Sequence, residues 1–282
     1  MFQTFKNRLE LQGTLKTITA LRISQGRSTE PIGSDLPVVK DALGKPFIPG
    51  ASFKGALRSR LESFLRGVDS TLADDPNQLV SSDRMASIRD LKEQWNGNDE
   101  ALTAALWAQT DLASRLFGSP WIASKFQVRD LTVNPETWFG QYQERDGVSI
   151  DRDTETAADG RLYDFQVVPA GTEFAFRAVV ENAEEIELGL LMIGLHQFET
   201  EQIPLGGGRS RGLGVVKLLI DQAWWIDPDG QPDQLITYLE RLVSRNLDQY
   251  KMSSETLESY AQDWTEDLIT HLRSHIPAPA SR

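Results

Sequence analysis

The chain contains no cysteine, which excludes disulfides and thiolate metal sites and fits a reducing cytoplasm. Histidine is almost as scarce. His196 reads as packed inside an apolar helix, and His271 and His275, four apart on a tail helix, have no third ligand near them in sequence. No apolar run approaches the roughly 20 residues that cross a bilayer, so no membrane partner is expected. The first residues, Met1-Phe2-Gln3-Thr4-Phe5-Lys6, lack the charged and then apolar layout of a signal peptide. Positive charge is also in short supply. Lys and Arg number 29 against 41 Asp and Glu, a net charge of −12, which taken alone argues against a chain that coats nucleic acid. Distribution decides the matter, however. Acid crowds into 69–100, 144–160, 181–187 and 221–267. Lys54, Arg58 and Arg60 fall close together, and Arg209 and Arg211 flank a serine in a glycine-rich loop. A basic groove on an acidic body is compatible with this pattern.

The remaining composition is ordinary: 40% apolar and 25% charged residues bury the core of one large or two modest domains. In residues 5–23, Leu9, Leu11, Leu15, Leu21 and Ile23 alternate with Arg8, Glu10, Gln12, Lys16 and Arg22, the period of a strand. A turn-rich stretch, 24–35, and a short apolar segment, 36–41, follow. Ser52 is the expected N-cap of a helix with the buried stripe Phe53, Ala56, Leu57, Leu61, Phe64 and Leu65. Lys54 and Arg58 share one flank near its start, where the dipole favours an anion by about 0.3–1 kcal/mol. Free amides, two cations and a dipole suit a phosphate.

Residues 67–115 read as a helical insertion, with patches at 84–95 and 100–117. Phe126, Val128 and Leu131 to Val133 read as a second strand, and 140–172 as a protruding hairpin. Phe174, Phe176, Ala178 and Val180 alternate as a third strand; Leu188, Leu191, Leu195 and Phe198 recur as a helix; Val215 to Ile220 forms a fourth strand. After Asp227-Pro228-Asp229-Gly230 the chain is helical, with Leu235, Leu239, Leu242 and Val243 on one face and Trp224-Trp225 as an anchor. The predicted fold is α+β, a ferredoxin-like (RRM-like) βαββαβ palm over 1–225, with a C-terminal helical extension over 226–282. Such sheets are common RNA platforms, but fold alone does not establish function.

The loop Gly206-Gly207-Gly208-Arg209-Ser210-Arg211-Gly212-Leu213-Gly214 is the most distinctive feature. Five glycines among nine residues let backbone approach another chain closely, while Arg209 and Arg211 grip phosphates. The bland alternative is a tight turn, although five glycines exceed what a turn needs. A nucleotide phosphate loop fails because no lysine follows and a strand, not a helix, comes next; a dinucleotide fingerprint fails likewise.

Ile48-Pro49-Gly50-Ala51-Ser52-Phe53-Lys54-Gly55-Ala56-Leu57-Arg58 resembles the I-P-G-S-S-[LF]-K-G-x-[LMI]-R signature of the RAMP superfamily of CRISPR proteins. The glycine loop resembles that family's glycine-rich loop, and Leu116-Phe117-Gly118 its L-F-G motif. Val148 to Arg152 with Gly171 to Phe174 is similar to the thumb hairpin of the backbone subunits. These matches run in the expected order through most of residues 5–220. The resemblance implies a backbone subunit of a type III effector complex, stacked with other effector subunits in a filament along a guide crRNA, its thumb inserted into the guide–target duplex. It also implies that an aspartate after the first strand cleaves target RNA with a divalent metal, Mg²⁺ being the expected ion. Ser34-Asp35-Leu36-Pro37-Val38-Val39-Lys40-Asp41 matches that loop, which puts the catalytic and metal-holding role on Asp35. The preceding Arg22-Ile23-Ser24-Gln25-Gly26 departs from the family's pattern by a serine in place of one glycine. Expected RNA-binding residues are Arg22, Ser52, Lys54, Arg58, Gly206, Gly207, Gly208, Arg209, Ser210 and Arg211.

The chemistry is plausible from the residues themselves. Scission by the RNA's own 2′-hydroxyl needs in-line geometry, a proton acceptor and charge neutralisation, and a carboxylate acts as base or holds a metal. The bland alternative for Asp35 is a turn-stabilising carboxylate. Asp41 reads as structural because it adjoins the Ala42-Leu43-Gly44 turn. Tyr163 and Phe165 either stack on a base or pack the hairpin. Two other functions stay open: an RNA-binding scaffold without nuclease activity, and a guide-processing endoribonuclease. The latter is disfavoured because such enzymes commonly use an N-terminal histidine and none precedes His196.

Overall fold

The computed structural model describes residues 4–26, 34–150 and 157–276. The first strand, β1 (Arg8–Thr17), buries Leu9, Leu11 and Leu15 completely, as the alternation predicts. It is shorter than the 5–23 expected, because the chain leaves the sheet after Thr17. Leu21 stays buried all the same, so the apolar pattern outlasts the strand. The register between β1 and its neighbour shifts at Gln12/Gly13. A Cβ on Gly13 would lie 2.1 Å from the Leu219 carbonyl oxygen, so this crossing requires glycine.

A two-residue strand β2 (Phe47–Ile48) leads into α1 (Gly50–Val68). The insertion is helical as expected: α2 (Pro76–Leu79), α3 (Ser82–Gln94), α4 (Asp99–Ala108) and α5 (Leu112–Phe117). Then follow β3 (Phe126–Val128), β4 (Leu131–Thr132), the hairpin β5 (Gln143–Ile150) and β6 (Ala157–Val167), β7 (Glu173–Glu181), α6 (Glu185–Glu199), β8 (Val216–Ile226), α7 (Pro232–Val243), β9 (Lys251–Met252) and α8 (Ser254–Ser274). The main sheet has the order β3-β7-β1-β8-β9 with every neighbour antiparallel. The fold is therefore α+β, with β1 at the centre of the sheet.

Helices cover one face. Phe53 of α1 stacks on Phe198 of α6 at 4.4 Å and meets Phe176 of β7 at 5.2 Å. Trp264 and Leu268 of α8 belong to the same apolar cluster as the β1 leucines, and Trp225 packs on Trp264 at 5.3 Å, the anchoring expected of the tryptophan pair. Beneath the helices Lys125 and Glu187 form a buried pair at 2.5 Å, with side chains 3% and 0% exposed. Glu187 also accepts the Glu184 amide at the start of α6, and Lys125 lies 4.5 Å from the Trp107 ring centre. Burial pushes the Glu187 carboxyl up, against the pull of Lys125.

Two expectations are overturned. Phe64, expected in the buried stripe of α1, is 42% exposed. Helix α7 forms as expected, with Leu239, Leu242 and Val243 of its apolar face 49%, 47% and 85% exposed. Tyr238 holds the helix instead, stacked on Phe5 at 5.7 Å and edge-on to Tyr250. His196 is not packed; its side chain is 69% exposed beside Glu199.

The register pairs Thr17 with Val216 and Lys16 with Glu173. The end of β1 and the starts of β7 and β8 thus share one edge of the sheet. The Asp35 segment, the hairpin base and the glycine loop all emerge there.

The tightest helix contact is at Gly189, where an added Cβ would lie 2.1 Å from the Trp264 carbonyl oxygen. Gly189→Ala is expected to cost about 1–3 kcal/mol through overpacking. Gly55, in the interior of α1 with open space around it, makes the contrast: Gly55→Ala should gain about 0.5–1 kcal/mol. Urea denaturation of both variants measures the difference.

Candidate nucleic-acid interface

Beyond β1 the chain continues as a spine. Leu21 exchanges backbone hydrogen bonds with Val168 at 2.8 and 2.9 Å, and the Ile23 carbonyl accepts the Val39 amide at 2.8 Å. Residues 34–39 are thereby laid between this spine and β6. Leu36 bridges Phe165, its carbonyl accepts the Gln166 amide at 3.1 Å, and the Asp35 amide donates to Asp164 Oδ1 at 2.7 Å. The Asp35 side chain is exposed. Its backbone is fixed while its carboxylate faces solvent.

The glycine loop closes on the same spine. The Gly207 amide donates to the Arg22 carbonyl at 2.8 Å, and the Gly214 amide to the Ala20 carbonyl at 2.9 Å. Gly206 has φ +74°, and a Cβ there would sit 2.1 Å from the Arg22 carbonyl oxygen; only glycine tolerates both conditions. Gly208 and Gly212, each at φ 78°, bracket a single 3₁₀ turn, Arg209–Arg211. Four of the five glycines thus answer to local geometry, which is the tight-turn reading. Gly207 does not: it is exposed, with open space where a side chain would go.

Arg22, Arg209 and Arg211 surround this corner. The Arg22 guanidinium lies 4.7 Å from the Phe165 ring centre, and its Nε is buried without a hydrogen-bond partner among the described residues. Arg209 Nε donates to the Gly206 carbonyl at 3.1 Å and Arg211 Nη1 to the Tyr163 hydroxyl at 3.2 Å. Among the described residues none of the three arginines is ion-paired. Arg209, Ser210 and Arg211 are exposed. Tyr163 lies so close over Gly147 that a Cβ there would be 2.3 Å from the ring, and Phe165 is 6% exposed. Both aromatics pack the hairpin base. The part of the thumb that falls on 151–156 lies outside the described residues.

The helix α1 tells a different story. Its N-cap is Pro49, with no side-chain cap, so Ser52 is not the cap that the sequence implied. Ser52 sits one turn further in, its amide donating to the Pro49 carbonyl. The chain supplies an anion of its own, since the Gly50 amide donates to Asp130 Oδ1 at 2.8 Å. Lys54 Nζ donates to Ser124 Oγ at 2.6 Å and to the Phe126 carbonyl at 3.1 Å; burial, then Arg58, lowers its pKa to about 8. Arg58 is held by Glu62 at 2.6 Å, the Gly118 carbonyl at 2.8 Å and Ser114 Oγ at 3.3 Å. The two helix cations therefore brace α5 and its connection to β3, with Leu116-Phe117-Gly118 at the end of α5 where the connection begins.

Asp41 is structural, as expected: Oδ1 accepts the Leu43 and Lys45 amides at 2.9 and 2.8 Å. His271 and His275 lie 5.0 Å apart, with His275 Nδ1 3.2 Å from Asp69. Among the described residues no three His, Asp or Glu side chains converge to hold a metal. Asp35 nevertheless fits a shared site, because Mg²⁺ commonly takes one or two carboxylates and completes its shell from substrate phosphate and water. Asp164 is the residue that sequence reasoning missed. Its signal was faint: a carboxylate between two aromatics in Tyr163-Asp164-Phe165.

Residues 14–217 match the model of the RAMP superfamily. Similar curated proteins include the CRISPR system Cms endoribonuclease Csm3 of Enterococcus italicus, 25% identical over 219 residues, covering 76% of this chain and 91% of that one. The protein of the same name from Methanocaldococcus jannaschii is 27% identical over 227 residues, 76% of this chain and 79% of its own. That from Mycobacterium tuberculosis is 29% identical over 230 residues, 74% and 86% respectively. The matched span contains Arg22, Asp35, the α1 signature and the glycine loop, and ends before α7 and α8. On the strength of that span, the chain belongs to the RAMP superfamily.

Proposed function

We propose that this chain is a guide-RNA-binding backbone subunit of a type III CRISPR effector complex, and that Asp35 cleaves target RNA. One observation carries the reading. An exposed carboxylate on a clamped backbone stands at the same corner as an exposed glycine ribbon and three arginines free of ion pairs among the described residues. The endoribonuclease named in each of the three relatives supports it. The strand order β3-β7-β1-β8 with α1 and α6 on one face supports a ferredoxin-like palm, and the hairpin β5–β6 a thumb. We read 1–225 as the RNA-binding unit and 226–282 as an extension docked on it.

In this reading the ribbon lies along the guide backbone, while Arg22, Arg209 and Arg211 neutralise phosphates. The Asp35 carboxylate takes the proton of a target 2′-hydroxyl, whose oxygen attacks the adjacent phosphorus and expels the 5′-oxygen. Asp164 holds the amide of Asp35 and so limits where the carboxylate can reach. A divalent cation, Mg²⁺ by expectation, would be held by Asp35 and supply charge neutralisation at the phosphate. Partners are the guide crRNA, the target RNA and neighbouring effector subunits in a filament, in the cytoplasm. Among the described residues no helix is long and apolar enough to cross a membrane. The guide-processing alternative, which commonly relies on a histidine, is disfavoured, because His196 lies on α6 and the other two lie at the end of α8, away from this corner.

Asp35→Ala should slow cleavage of a matched target by about 10²–10⁴-fold with guide retention and assembly unchanged. Gel analysis of end-labelled target reads this out; undiminished products would leave only the scaffold function. Replacing Arg22, Arg209 and Arg211 by Ala should reduce the salt slope of guide affinity by about 0.7 for each phosphate no longer neutralised. Lys54→Ala with Arg58→Ala should leave that slope in place and lower the melting temperature instead. A slope carried by the second pair would move the interface to α1.

A further inference from the structure

A groove of about 540 Å³ opens between the C-terminal half of α6 and the N-terminal half of α8, beyond their tight crossing at Gly189. Its floor is apolar, with Met192, Leu195, Ile220, Leu257 and Ala261, and its wall includes Phe64, 42% exposed. Among the described residues the polar lining holds three carboxylates, Glu199, Glu258 and Glu266, and neither lysine nor arginine. His196 Nδ1 stands 3.2 Å from Glu199, and Gln262 donates to Glu266 at 2.9 Å. The neighbouring cation, Arg60, does not line the groove but touches its wall, stacked on Phe64 and donating to Gln197 rather than to any of the three carboxylates. An apolar trough with a net acidic rim selects its occupant by charge as well as shape.

We propose that this groove docks an amphipathic helix of a protein partner whose apolar stripe is flanked by lysine or arginine. Apolar burial would supply affinity, and the rim would supply orientation and salt sensitivity. The exposed stripe of α7 from a second copy is a poorer occupant, because α7 carries Asp233 and Glu240 beside Arg241 and so brings no net positive charge. The groove makes no use of the RNA corner, and this inference stands apart from the function proposed above.

The test uses the full chain and a labelled synthetic helix of leucine and lysine at amphipathic spacing, followed by fluorescence anisotropy. The wild type should bind it. Glu199→Lys, Glu258→Lys and Glu266→Lys together should weaken binding at least about tenfold, as expected for removing close charge pairs at an interface. A control variant reverses as many exposed carboxylates elsewhere, Asp90→Lys, Glu93→Lys and Glu136→Lys, and should bind normally. Equal weakening in the control would mean attraction to the acidic body as a whole and overturn the proposal. The same follows if a peptide with serine for leucine, or glutamate for lysine, binds as well as the original. These two peptide arms need no variant and decide the matter even if a charge reversal unfolds the chain. Self-association of the wild type that the groove variant abolishes would make a second copy the occupant and equally refute it.

Discussion

The backbone of residues 21–23 is gripped from three directions, and the geometry of the candidate site depends on it. Val168 pairs with Leu21, Gly207 reaches the Arg22 carbonyl, and Val39 reaches the Ile23 carbonyl. Each contact brings one element to the spine: the hairpin base, the glycine ribbon and the Asp35 segment. None of the three elements is regular structure at the point of contact, so each relies on the spine for the partners of its backbone amides. The spine is rigid because it continues from the central strand of the sheet, whose leucines are the innermost side chains of the core. Core burial and site geometry are thus linked through a few residues.

Charge on this molecule is informative only after pairing is subtracted. Arg8 is tied to Glu10 and Glu181, Lys16 to Glu173, Arg58 to Glu62 and Lys125 to Glu187. The first two pairs lie on the face of the sheet opposite the core. That face is therefore laced by ion pairs, unlike the aromatic platform on which sheet-binding domains stack bases. Other cations without an ion pair are scattered over the described residues, but Arg22, Arg209 and Arg211 meet at the loop end of the sheet, beside the Asp35 segment. A chain of net charge −12 can still hold a phosphate backbone there, because the interaction is local and screened beyond about 8 Å at physiological salt.

Much of the fold was legible. Strict alternation in β1 and β7, and the helical stripes of α1 and α6, describe burial that the structure reproduces, apart from Phe64, which is exposed. What the sequence could not show shares one cause, a partner distant in sequence. Asp130, not Ser52, receives the first amide of α1, eighty positions away; Lys54 finds Ser124 across seventy; Asp164 meets Asp35 across 129. Local patterns carry no trace of such pairings. Helix α7 was legible as a helix, but amphipathicity states only that a stripe seeks an apolar surface, not that this chain provides one.

These contacts divide the family signature into two kinds of residue. In the α1 motif, Lys54 and Arg58 direct their hydrogen bonds to Ser124, Phe126, Ser114 and Gly118, so this motif and the L-F-G segment lock each other in place. They maintain the fold. Asp35, Gly207 and the Arg209–Arg211 turn fulfil no comparable duty; Asp35 and Gly207 use their backbone amides to join the spine and leave side chain or open space toward solvent. A half-buried cation whose donors the chain already satisfies would have to give up those hydrogen bonds to serve a ligand. An exposed group with its backbone already fixed exchanges only water for the ligand, and that asymmetry is the physical reason to look for RNA at the spine rather than at the helix.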